Sequence, residues 1–140
     1  MNPDHVKLVE SGPEAVKKWQ IENTADQLDL RNADFSNREL VGFDFSRAML
    51  DGVNFSGAKL DESVFSEARI RRANLSGASL RKATLHRTNC AGSDFSNADF
   101  SSAAMYRCVL RDCTIEGATF KAANLFKISW PEGVEVPAKG

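Results

Sequence analysis

From Leu30 to Leu125 the chain is apolar at every fifth residue: Leu30, Phe35, Leu40, Phe45, Leu50, Phe55, Leu60, Phe65, Ile70, Leu75, Leu80, Leu85, Cys90, Phe95, Phe100, Met105, Leu110, Ile115, Phe120 and Leu125. With 42% of residues hydrophobic, twenty such matches in succession have odds on the order of 10⁻⁸ by chance, so the pattern is an internal repeat. A period of five fits neither the 3.6 of a helix nor the 2 of a plain strand. Two residues before each of these centres lies a second slot. From Ala33 to Ala123 it holds a small side chain at seventeen of nineteen positions, and Arg38 and Phe43 are the departures.

A spacing of two puts slot and centre on one face of an extended segment and turns the residue between them outward. That outward residue is often Asp or Asn, as at Asp34, Asp44, Asn54, Asn74, Asn89, Asp94, Asp99 and Asn124. The two remaining positions are rich in Ser, Gly, Asn and charge, as turns demand. Each unit is therefore predicted to be about three extended residues and one corner. Corners repeating at this interval make a coil, and stacked coils bury a continuous core.

The units ADFSN (33–37), ANLSG (73–77), ADFSS (98–102) and ANLFK (123–127) resemble the pentapeptide repeat proteins, whose pattern is Ala-(Asp/Asn)-(Leu/Phe)-X-X. The resemblance covers about residues 28–127. It implies an all-β fold, a right-handed quadrilateral β-helix with one unit per side, twenty residues per coil and about five coils. At ~4.8 Å per stacked strand this is a rod of roughly 24 Å. Residues at spacing twenty then form columns. Leu75 and Phe95 share side two and are expected to be buried, with Ser76 and Ser96 exposed beside them. Arg38 and Phe43 predict a distorted first or second coil.

Residues 1–27 break the phase and are expected to form a helical cap. Asp4 to Glu10 suits a short helical turn. Ser11-Gly12-Pro13-Glu14 is a helix start, with Pro where a missing N–H costs nothing. Val16 and Trp19 lie on one face of the segment that follows, and they are expected to cover Leu28, Leu30 or Phe43. The helix should end near Asn23. The resemblance also implies a leading helix with Gly and Trp. The β-helix is predicted to occupy residues 28–130, with Pro131 ending the ladder and 131–140 forming a flexible tail.

Charge and chemistry narrow the function. Net charge is −1, so no whole-molecule field favours nucleic acid or membrane as partner. Between residues 28 and 127 there are 14 Lys and Arg against 12 Asp and Glu. No apolar run approaches the length of a membrane span, and no basic-then-apolar leader opens the chain, so a cytoplasmic location is expected. Cys90 is a centre, and Cys108 and Cys113 fill small slots. All three read as core residues, and no metal or cofactor is expected. A filled coil has no interior pocket, and no nucleophile or carboxylate pair marks a cleft, so the chain is not expected to be an enzyme.

The outer surface is more telling. One corner stacks His86, Tyr106 and Phe126 beside Arg87, Arg107 and Lys127; nearby lie Arg69, Arg71, Arg72 and Arg111. Like charges stacked at ~4.8 Å repel, so folding alone does not call for them. Ordinary solvated charge is the plain alternative. The pattern suggests a rigid module that presents a basic and aromatic corner to a protein partner. The resemblance offers a second reading, a gyrase-binding DNA mimic of the quinolone-resistance type, which the near-neutral rod disfavours. Phe126, Ile128 and Trp130 near the last coil suggest an end-to-end homodimer, or else a plug over that end.

Overall fold

The computed structural model describes residues 1–137. Helix α1 spans Pro3–Glu10, and the Asn2 side chain caps it by accepting the Asp4 N–H at 2.9 Å. Helix α2 spans Pro13–Glu22, with Pro13 in its first turn. Gly12 joins them at φ 109°, a conformation that a side chain would disfavour. Among the described residues no helix is long and apolar enough to cross a membrane.

The rest is coil upon coil. Parallel bridges pair each residue with the one twenty further on, unbroken from Asp29–Met49 to Val109–Ser129. Bridges fall at every fifth residue, so each coil has four extended segments. Each bridge residue is the outward one of its unit. Its Asp or Asn side chain accepts the N–H two residues ahead, as Asn54 does from Ser56 at 3.0 Å and Asp94 from Ser96 at 2.9 Å. This Asx bond is the physical reason for the outward Asp and Asn. Most corners close with an N–H to C=O bond across three residues, as Ala58 to Phe55 at 3.0 Å, with positive φ at the second turn residue. These are the marks of a type II turn. Positive φ recurs from Asn32 to Lys127, and fourteen of these residues are not glycine. At ~1 kcal/mol or more each, such strain persists only because the stacked coils over-determine it.

The centres fill the coil. All are buried except Ile115, which is half-buried. Leu75 and Phe95 are fully buried, but Ser76 and Ser96 are only half exposed, because stacked turn residues shade one another. Where Ser or Thr replaces Ala in the small slot, and at Cys113, the donor is satisfied by a centre carbonyl one coil back, whereas Cys108 meets the Cys90 sulfur instead. Ser63 Oγ donates to Leu40 O and Thr88 Oγ1 to Phe65 O, each at 2.7 Å, and Cys113 Sγ to Cys90 O at 2.9 Å.

The misfit residues do not distort a whole coil. Arg38 is exposed, which spares the burial of a guanidinium. Phe43 is buried and stacks on Phe45 at 5.6 Å and 10°. Phe43 N–H makes no turn bond to Leu40 O, which takes the Ser63 hydroxyl; the Ile70–Ala73 turn does the same with Ser93, so this change follows the serine and not the misfit. Ladder bonds continue on both sides of it.

The two ends differ. At the first coil the cap supplies missing partners. Asn2 N–H donates to Asp29 O at 3.0 Å, and Asp29 N–H donates to His5 Nδ1 at 2.8 Å. Gln20 Nε2 reaches Asp44 O at 2.8 Å, and Gln27 Nε2 reaches Arg47 O at 2.7 Å. Val9 and Val16 are buried in the same core as Leu28 and Leu30, and Trp19 packs against it with His5 edge-on at 4.7 Å. At the last coil the N–H groups of Ile115, Phe120 and Leu125 find no partner among the described residues. Trp130 packs edge-on against Phe120 at 5.6 Å, and Pro131 is buried behind it. A further coil would place Glu135 at the next centre, and an unpaired carboxylate there is excluded by its desolvation. The expected tail, 131–140, lies partly outside the described residues, at 138–140.

The first coil also carries an acid-sensitive pair. Arg31 grips Asp29 with Nε at 2.8 Å and Nη2 at 2.9 Å, and this holds the Asp29 carboxyl down at about 2. A depressed carboxylate contributes stability above its ordinary range near pH 4, and that contribution is lost as pH falls through about 2. Arg31→Ala is therefore expected to lower the thermal midpoint at neutral pH but not near pH 2. A difference that persists undiminished in acid would refute the pairing.

Candidate functional site

The repeat places equivalent residues one above another, so each corner is a column. After the fourth segment of successive coils come Ser46-Arg47, Ser66-Glu67, His86-Arg87, Tyr106-Arg107 and Phe126-Lys127. The upper three rungs form a ladder of rings. His86 meets Tyr106 edge-on at 6.3 Å, and Tyr106 stacks on Phe126 at 5.6 Å and 12°. Arg107 lies over the Tyr106 ring at 5.4 Å and donates from Nε to its hydroxyl at 3.0 Å. Lys127 lies over the Phe126 ring at 5.4 Å. The Arg107 bond lowers the Tyr106 hydroxyl below the usual phenol range, helped by the charges of Arg107, Lys127 and Arg87. Phe126 remains 53% exposed. A ring this open contributes little to the core, and within the chain its partners are the other members of the corner ladder.

The next corner, after the first segment, carries the other cations. Arg71 holds Asp51 with Nη2 at 2.9 Å, and its backbone N–H reaches Oδ1 at 3.0 Å. Arg69 Nε lies 3.0 Å from the same Asp51 oxygen, but its N–H points out of line and makes no hydrogen bond. The Asp51 carboxyl is desolvated by burial, yet Arg71 and Arg69 outweigh this and lower it. Arg31, Asn32, Asp51, Gly52, Arg71 and Arg72 line an open cleft of about 300 Å³ here. At Gly52 a Cβ would lie 2.1 Å from Asn32 Oδ1, so a side chain there would have to displace the Asn32 amide.

The structure thus brings the sequence-selected residues to one face, side one, with its segments 48–50, 68–70, 88–90 and 108–110 between two rims. Arg87, Arg107 and Lys127 form one rim, and Arg72 and Arg111 the other. Among the described residues none of these five enters an ion pair. Arg69 and Arg71 differ, being neutralised by Asp51, a contact that five-residue periodicity does not show. The residues expected at an open end do not form one patch. Phe126 belongs to the corner ladder, Ile128 is half-buried against the core, and Trp130 covers Phe120.

Elsewhere the chemistry is quiet. Cys90 and Cys108 sulfurs lie 4.0 Å apart, and the contact with Cys108 together with burial pushes the Cys90 thiol well up. Burial takes Cys113 to about 12. These thiols are packing groups in the core. Sequence reasoning missed a cleft of about 480 Å³ at the last coil, between Ile115, Ala118 and Phe120 on one wall and Val134 and Pro137 on the other. The direction taken by the tail after Pro131 carries no sequence signal.

A family model described as pentapeptide repeats matches eight copies, over residues 29–66, 63–101 and 88–125. Among solved structures, a pentapeptide repeat protein from the Arabidopsis thaliana thylakoid lumen is 31% identical, with a TM-score of 0.56. The match covers 71% of this chain and 66% of that one, so the chain spans a little under two thirds of its relative's length. A pentapeptide repeat protein from Nostoc is 24% identical over 86% of this chain and 88% of its own, at a TM-score of 0.39. The plasmid-mediated fluoroquinolone resistance protein QnrB1 is 18% identical over 76% and 73%, at 0.41. Among curated proteins none matches.

Proposed function

Because the chain belongs to the pentapeptide repeat family, we propose that it is a non-enzymatic interaction module, a rigid rod that presents side one to a protein partner. The reading takes the coil as the right-handed quadrilateral β-helix that the family implies. One observation carries it: the exposed Tyr106–Phe126 stack with Arg107 and Lys127 over the rings. Arg and aromatic residues are enriched where proteins meet. A filled coil supports the non-enzymatic part, since its core residues leave no interior space for a substrate. A cytoplasmic location goes with the reading, in keeping with three free thiols.

The DNA-mimic reading is weaker, because a mimic needs an acidic rod and the exposed face described here is basic. An end-to-end dimer is also weaker than the lateral surface, since Trp130 occupies the end and Phe126 turns to the side. Capture from native lysate with the wild-type rod and with Tyr106→Ser/Phe126→Ser tests the proposal. A partner retained by the first and lost by the folded second is expected. Retention of the same partner by both would remove side one as the interface. Drug-dependent protection of gyrase supercoiling by the wild-type rod would instead bring the mimic back.

A further inference from the structure

We infer that the upper half of side one docks an acidic helix of a protein partner, laid along the rod axis with carboxylates toward both cationic rims. The inference rests on the interaction-module reading and gives its partner a chemistry. Charge on the rod is one-sided. Within residues 28–127, side one and its two corners carry nine Lys and Arg (Arg31, Arg47, Arg69, Arg71, Arg72, Arg87, Arg107, Arg111, Lys127) against four acids (Asp29, Asp51, Glu67, Asp112). The other faces carry five basic residues against eight acidic. Charge is also graded along the axis. Within residues 28–127, Asp29, Asp51 and Glu67 lie in the lower half, whereas the seven cations from Arg69 to Lys127 have only Asp112 among them; Glu132 follows just beyond the last segment. Two of those seven are already held by Asp51.

The shape between the rims suits a helix. The floor is Asn89, Val109 and Ser129, joined by parallel bridges and free of charge. Three extended residues separate the rims, so Arg107 and Arg111 are four steps of ~3.3 Å, at most roughly 13 Å, apart, which admits a helix of about 10–12 Å diameter. Arg87, Arg107 and Lys127 rise by ~4.8 Å per coil, so the outer two are ~9.6 Å apart. Carboxylates at i, i+3 or i+4, and i+7 of a helix span ~10.5 Å with an intermediate near its middle. Same-side residues of a strand recur at ~6.7 Å and drift off the rungs.

Ring geometry separates a protein partner from nucleic acid. Bases bind aromatic platforms through open ring faces. Here Tyr106 and Phe126 cover one face of each other, and Arg107 and Lys127 stand 5.4 Å from their ring centroids, so neither ring offers two open faces. A ring edge carries partial positive charge and suits a carboxylate or an aliphatic side chain.

The test is fluorescence anisotropy with a labelled, Ala-rich peptide of about five helical turns, bearing Glu at i, i+3, i+4 and i+7 with Leu alongside. A scrambled peptide of the same composition and an oligothymidylate of similar length are the comparators. Saturable binding of the helical peptide is expected, weakened about tenfold in Arg107→Glu/Lys127→Glu. Arg81→Glu/Lys82→Glu, on another face, should bind as the wild type does. Circular dichroism checks that both variants fold. The proposal is overturned if the peptide does not bind, if the scramble binds as well, if the side-one variant binds unchanged, or if oligothymidylate binds as tightly. A lysate partner that depends on Tyr106 and Phe126 alongside a failed peptide would keep the interaction module and remove the acidic helix.

Discussion

Phe95→Asp is expected to leave the chain unfolded. Phe95 is a side-two centre with no exposed surface, and its ring lies 5.2 Å from Phe100. Its N–H donates to Thr114 O at 2.8 Å, and Asp94 N–H donates to Ala73 O at 2.9 Å, so the segment is held from both neighbouring coils. Truncating a buried Phe costs ~3–5 kcal/mol through lost contacts and the cavity left. The carboxylate adds a second term, because no cation faces the inside of the coil at this level and it must desolvate or take up a proton. Together these reach the ~5–15 kcal/mol that a whole domain has to spare. Phe95→Leu is the control. Leu75 occupies the same column one coil earlier, so Leu is expected to fold with a loss of about 1–1.5 kcal/mol. Far-UV circular dichroism and a thermal melt read both variants. A soluble Phe95→Asp protein with an unchanged midpoint would show that the coil is not filled as described.

The fold was legible because every rung obeys one local rule. A centre, a small slot two residues earlier and a turn pair fix both the period and the face; the step of twenty came from the four units per coil that the family resemblance implies, and the parallel bridges carry that step. The rule also shows its own exceptions. Arg38 and Phe43 announce themselves as misfits, but the sequence cannot say that Arg38 turns to solvent while Phe43 stays inside. That choice depends on their position in the first coil, where the ladder has one open edge. Helices α1 and α2 were legible from Pro and Gly placement, which acts within a few residues. The bonds from His5 and Gln20 to the first coil were not. They join positions 24 residues apart with no repeat between them.

The candidate surface was half legible. Columns follow from the period together with the four units per coil that the resemblance implies, so His86, Tyr106 and Phe126 could be stacked in advance, as could Arg87, Arg107 and Lys127. Ring orientation could not, because it depends on side-chain rotamers settled by neighbours. The pairing of Arg69 and Arg71 with Asp51 was missed for a related reason. Arg71 shares a column with Asp51, whereas Arg69 reaches across from the segment beside it. Periodicity places backbones, and long side chains then choose among several partners within reach.

Removing residues 1–23 is expected to make the rod aggregate. The deletion takes away Val9 and Val16, both buried, and Trp19, which packs against the same core. Apolar burial of ~1.5–3 kcal/mol for each large side chain makes this a loss of several kcal/mol. It also strips hydrogen bonds from an edge. Asp29 would lose partners for both its N–H and C=O, and Asp44 O would lose the Gln20 amide. An uncovered edge above an apolar coil end is a template for pairing with another chain. Asp34 and Glu39, exposed on the remaining two segments of that coil, discourage pairing there, so the new liability is confined to the segments the cap now covers. Light scattering after size exclusion should find the truncated protein in large species. His5→Ala and Gln20→Ala should keep a monomer with a lowered midpoint, because each removes one edge bond and leaves the apolar cover. A truncated protein that stays monomeric and melts with the intact chain would refute the cap, and would mean that Leu28, Leu30 and Phe43 close the end of the coil without it.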